Sequence, residues 1–77
     1  MTKDTLERAF FLDERIGDIR EALRIAVGNY AIIDIVVRDG DNKKSLSFRL
    51  NNSDFAKLVM EQLRNHKIEL ESEFEKL

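Results

Sequence analysis

The sequence predicts an α+β domain ordered as long helix, two-stranded antiparallel β-hairpin, long helix, and working as a homo-oligomer. Three observations carry that prediction. Two segments repeat apolar residues at heptad spacing, Ala9 to Ala26 and Ala56 to Leu77. Between them a β-branched run, Tyr30 to Arg38, meets the turn cluster Asp39-Gly40-Asp41-Asn42 and then an alternating run from Ser45 to Arg49. The chain has 77 residues and no cysteine, so it is a single domain (1–77) near the lower size limit for a self-sufficient core. Small domains need a staple, and with disulfides excluded a partner copy is the expected one.

The first helix is expected from about Asp4 to Val27. Asp4 is a good N-cap, Glu7 completes a capping box, and Gly28-Asn29 supplies a left-handed stop. Its seam is Ala9, Leu12, Ile16, Ile19, Leu23 and Ala26, while Leu6, Phe10, Phe11 and Ile25 lie off it. Apolar residues beyond one stripe imply more than one neighbour. Gly17 costs about 1 kcal/mol relative to alanine in a helix interior. Two readings are open: a close backbone approach, or a surface glycine.

The strands are expected over Tyr30 to Arg38 and Ser45 to Arg49. Ala31, Ile33, Ile35 and Val37 form one face of the first, with Leu46, Phe48 and Leu50 inward on the second. The opposite face is only half polar, because Tyr30, Ile32 and Val36 accompany Asp34 and Arg38. A lone hairpin is marginal in water and leaves two edges unpaired. A second copy would cover that face, so Tyr30, Ile32 and Val36 are candidate interface residues.

The last helix opens at Asn51-Asn52-Ser53-Asp54 and carries Ala56, Val59, Leu63, His66, Leu70 and Leu77 at heptad spacing. Running to Lys76 it would be about 35 Å long, against about 20 Å for the hairpin. The excess would project or lie on another subunit, which adds His66, Leu70 and Phe74 to the interface candidates. Ile68 to Glu75 alternates with period two, a strand template, but its glutamates favour helix.

Composition excludes several function classes. One histidine and no cysteine leave no metal cluster within a chain, and no cofactor motif is present. A formal charge of −2 gives no global bias towards nucleic acid. There is neither a membrane-length apolar run nor a signal peptide, so the natural reading is cytoplasmic. Asp39, Asp41 and Asn42 resemble the start of a calcium loop, but the fifth and twelfth positions are Lys43 and Leu50, and turn chemistry explains the acids. His66 has no serine or cysteine placed as nucleophile, so no enzymatic activity is expected.

The basic residues are the candidate ligand site. Arg38, Lys43, Lys44 and Arg49 fall in or beside the hairpin with Ser45 and Ser47. Arg20 and Arg24 stand one turn apart on the first helix, as Arg8 and Arg15 stand one heptad apart. Paired arginines can hold a phosphate bidentately. The competing reading is that hairpin lysines protect an edge and helix arginines pair with Glu7, Asp18 and Glu21.

The helix, the short Arg38-Asp39-Gly40-Asp41-Asn42 hairpin and the closing Leu63 to Leu77 helix together resemble small accessory proteins of bacteriophage and prophage genomes, over most of the chain. The resemblance implies action by binding: an oligomer that sequesters an anionic nucleotide signal of host defence, or a module that inhibits a host protein. A nucleic-acid-binding regulator ranks below both, because the total charge is acidic and the tail is rich in glutamate.

Overall fold

A computed structural model describes residues 2–77. Helix α1 (Lys3–Ile25) leads to strands β1 (Ile32–Asp39) and β2 (Asn42–Arg49), a short 3₁₀ turn (Leu50–Asn52) and helix α2 (Asp54–Glu75). This is the predicted α+β class in the predicted order.

The predicted capping of α1 is corrected at both ends. The N-cap is Thr2, not Asp4: Thr2 is extended, and its hydroxyl accepts from the Thr5 N–H at 3.2 Å. The earlier cap-competent residue wins because it lengthens the helix and leaves Asp4 in the first turn, where an acid complements the helix dipole. At the far end Gly28 does not turn left-handed, since the only positive φ among the described residues is at Gly40. Tight turns stop the helix instead, with Gly28 N–H donating to Ile25 O and Ala31 N–H to Gly28 O.

The core sits where the two helices cross. Leu12, Ile16 and Ile19, successive members of the predicted α1 seam, meet Leu70, and Leu23 and Leu63 pack alongside. Ser53 caps α2 through its hydroxyl, which accepts from the Ala56 N–H at 3.1 Å. The helix runs unbroken through the period-two stretch to Glu75, as glutamate's preference requires.

The C-terminal half of α2 lies across its own α1. Arg8 Nη2 reaches Glu73 at 2.6 Å and Arg20 Nη2 reaches Glu71 at 3.0 Å. The expectation for this segment is therefore corrected. The length α2 has beyond the hairpin is taken up by α1 of the same chain, and Leu70, expected at a subunit interface, is core at 7% exposure. Around Gly17 there is open space, so no other backbone of the same chain approaches it.

β1 and β2 pair antiparallel from Ile32↔Arg49 to Asp39↔Asn42. Gly40, at φ 59°, opens the two-residue turn in the conformation that only glycine adopts cheaply. Directly opposed residues share a face. Ile33, Ile35, Val37, Leu46 and Phe48 therefore lie on one side, and Ile32, Asp34, Val36, Arg38, Lys43, Ser45, Ser47 and Arg49 on the other. The apolar side turns toward the helices. Phe48 meets Phe55 of α2 at 5.0 Å between ring centroids. Ile33 and Ile35 form one wall of a groove closed on the far side by Ala22, Ile25, Val59 and Leu63.

The chain is open and flat, 46 × 33 × 15 Å. Its radius of gyration is 15.4 Å, against about 11.5 Å for a compact domain of this length. Among the described residues, no helix is long and apolar enough to cross a membrane.

Candidate functional site

The predicted basic cluster divides in three. Arg20 and Arg24 are already in use: Arg20 donates to Glu71, and Arg24 donates to Glu21 one turn earlier on α1. Their hydrogen bonds hold the Glu71 and Glu21 carboxyls below the usual glutamate range. Lys44 is opposite Val37 on the helix-facing side of the hairpin. That leaves Arg38, Lys43 and Arg49 on the outer face, and none of the three forms an ion pair among the described residues.

These three cations are not one cluster. Arg38 and Lys43 are cross-strand partners beside the turn, whereas Arg49 is paired with Ile32 at the opposite end. Two like charges directly opposed on a sheet destabilise it. The turn end thus sets two like charges directly opposite each other, and among the described residues neither has a carboxylate within 4.0 Å.

At the other end the chain forms a hollow of about 300 Å³, lined by Asn29, Tyr30, Ala31, Ile32, Arg49, Asn51 and Asn52. A hairpin returns to where it began, so the segments just before β1 and just after β2 become neighbours. The Leu50 N–H donates to Ala31 O at 3.0 Å, and the Asn51 side-chain amide donates to the Asn29 carbonyl. These two bonds fix the floor of the hollow. Tyr30, at 91% exposure, leaves its ring free at the rim. One guanidinium, three carboxamides and one aromatic ring therefore converge on one small volume, in the range that small-ligand sites occupy.

Sequence reasoning found Arg49 and Tyr30 but missed Asn29, Asn51 and Asn52, which read there as helix stop and helix cap. The available signal was topological: pairing Ile32 with Arg49 brings both asparagine-containing flanks together.

Of the other predicted interface residues, Ile32 and Val36 are exposed on the outer face of β1. Phe74 is 41% exposed beside Arg20 and Glu71. His66 is exposed with its Nδ1 3.7 Å from Glu69. His66 also borders a hollow of about 410 Å³ with Arg8, Phe11 and Arg15. Both arginines stand over the Phe11 ring, at 5.3 and 5.8 Å, but Arg8 is neutralised by Glu73. Among the described residues no three His, Cys, Asp or Glu side chains form a group able to hold a metal ion.

Comparisons with protein families, with curated proteins and with solved structures give no match.

Proposed function

We propose that this chain is a non-enzymatic binding protein that acts as a homo-oligomer and holds an anionic small ligand, of the nucleotide class, in the hollow at the base of its hairpin. The observation that carries this reading is the lining of that hollow: Arg49 beside Asn51, Asn52 and the exposed Tyr30 ring. A guanidinium is suited to a phosphate group, which it can meet with two parallel hydrogen bonds. Carboxamides donate and accept, as a base edge requires. A free tyrosine ring offers a stacking surface. Phosphate, polar edge and aromatic face are the three chemical parts of a nucleotide.

The oligomer is supported by surface. The chain exposes 6408 Å², whereas a compact monomer of 9.0 kDa exposes about 4,850 Å². The difference, roughly 1,550 Å², is what one subunit contributes to a large homodimer interface. In a phage accessory protein such a site would remove a nucleotide signal from solution without altering it.

Titration calorimetry with nucleoside mono- and triphosphates, a cyclic dinucleotide and inorganic phosphate tests the ligand. Arg49→Ala is expected to weaken nucleotide binding by roughly 10- to 100-fold, the worth of a charge-assisted hydrogen bond. Arg24→Ala, in its own ion pair on α1, should leave binding unchanged. Absence of binding to every probe up to about 1 mM, with the chain folded, overturns the proposal.

A further inference from the structure

The outward backbone groups of β1 and β2 fall on a known set of residues. The Leu50 N–H donates to Ala31 O, which sets the phase in which hydrogen-bonded and non-hydrogen-bonded positions alternate along the ladder. The inward-bonded residues of β1 are thus Ile33, Ile35, Val37 and Asp39. Ile32, Asp34, Val36 and Arg38 then aim their N–H and C=O groups at the free edge of β1, and Lys43, Ser45, Ser47 and Arg49 aim theirs at the free edge of β2. Among the described residues no hydrogen bond satisfies either edge.

The two edges differ in what they would accept. Antiparallel pairing of β2 with a second β2 over its full length sets Lys43 opposite Arg49, a like-charge contact that protects this edge. β1 is the opposite case, since it carries one acid, one base and two apolar residues on its outer face. Its edge also overhangs the apolar groove. Every sheet residue lining that groove, Ala31 to Ile35, lies in β1 or just before it, and none lies in β2. A strand added to β1 therefore extends the roof of the groove.

We infer that the second copy required by the oligomeric reading pairs antiparallel along the free edge of β1, with the two-fold axis at Val36, giving a four-stranded sheet ordered β2-β1-β1-β2. This rests on the chain being a homo-oligomer and is independent of the ligand. The register is chosen by charge. With the axis at Val36, each Asp34 lies directly opposite the Arg38 of the other copy, and the two Val36 side chains meet. The partner's carboxylate is then the counter-charge missing from the Arg38–Lys43 conflict. Moving the axis to Ile35 faces Asp34 with Val36 and Arg38 with Ile32, an apolar partner for each charge. Moving it to Asp34 sets two carboxylates together. On the helix side the chosen register places Val37 of the partner beside Ile35, at the open side of the groove.

The chain has no cysteine of its own, so single introduced cysteines report the contact cleanly. Opposed residues in a hydrogen-bonded pair have Cα atoms about 5.5 Å apart, within disulfide reach. Val36→Cys under mild oxidation is expected to give a covalent dimer, while Ser45→Cys and Ser47→Cys on the β2 edge stay monomeric on a non-reducing gel. Sedimentation should show Asp34→Arg and Arg38→Asp each weakening association, and the double swap Asp34→Arg/Arg38→Asp restoring it. Cross-linking through the β2 edge, no cross-link through position 36, or failure of the swap to rescue overturns the inference. Nucleotide titration of the same variants separates the two proposals, because Arg49 and the asparagines are untouched.

Discussion

Replacing Leu70 by alanine distinguishes a core residue from an interface residue. Leu70 is 7% exposed and closes the cluster of Leu12, Ile16 and Ile19. Leu70→Ala removes three carbons, worth about 0.8 kcal/mol each in transfer from water, or about 2.4 kcal/mol together. The hole left among three α1 side chains adds a cavity contribution, which brings the expected loss to about 2.5–4 kcal/mol. For a domain of this size each kcal/mol lowers Tm by about 4–8 °C, so a fall of at least about 10 °C is expected. Urea unfolding followed by circular dichroism measures the stability, and sedimentation measures association under native conditions. The loss should appear in unfolding, with the sedimentation behaviour of the folded protein little changed. A variant as stable as the parent but weakened in association would refute the reasoning and return Leu70 to the subunit interface.

Two further outcomes follow from single contacts. Gly17→Ala is expected to raise stability by about 0.5–1 kcal/mol in thermal unfolding, because its new methyl meets nothing within 4 Å and the unfolded chain loses freedom. A loss of stability there would mean that another backbone approaches Gly17. Glu71 is held below the ordinary glutamate range chiefly by the Arg20 hydrogen bond, with Lys67 assisting against partial burial. Its contribution is thus present above the pKa of an unfolded glutamate and is lost as pH falls through the lower folded value. Glu71→Gln should flatten the fall in stability between neutral pH and that acid range, and an unchanged slope in acid titration would contradict the ion pair.

The element order was legible because each period was strong. The α1 seam of Leu12, Ile16 and Ile19 proved to be the buried stripe, and the alternation of Ile33, Ile35 and Val37 matched the helix-facing side of the sheet. Legibility failed where two local choices were nearly equal. Thr2 and Asp4 are both competent caps, and only the extra helical length decides between them. The resting place of α2 was not legible either, because it depends on the angle at which the helices cross. That angle is fixed by the fit of Leu70 among three α1 side chains and by pairing to Arg8 and Arg20. For the site, the residue types were visible but their grouping was not. Arg38, Lys43, Lys44 and Arg49 form one cluster in sequence, yet pleating sends Lys44 to the other face and the hairpin's length separates Arg49 from the turn. Asn51 and Asn52 entered the hollow through chain return, which composition does not report.

Under the proposed function the hairpin's two ends would do different work, and the proposed dimer would keep them apart. With the axis at Val36, each Ile32–Arg49 pair lies four residues away along the strand, in opposite directions for the two copies. At about 3.4 Å per residue and three strand spacings of about 4.8 Å, the two Arg49 positions are about 30 Å apart. No mononucleotide bridges that distance, so each hollow acts alone and the symmetry axis does not assemble a shared pocket from the arginines. What dimerisation changes at the axis is the state of Arg38. Opposed to Lys43 in the free chain, it would gain Asp34 of the second copy in the proposed dimer, and its guanidinium would be committed to assembly. In the proposed function the ligand chemistry would fall to Arg49, whose neighbours in the hollow are carboxamides and a ring rather than acids. On both proposals a single outward face would serve two purposes without competition, because the charge that repels within one chain is the charge that a second chain would satisfy.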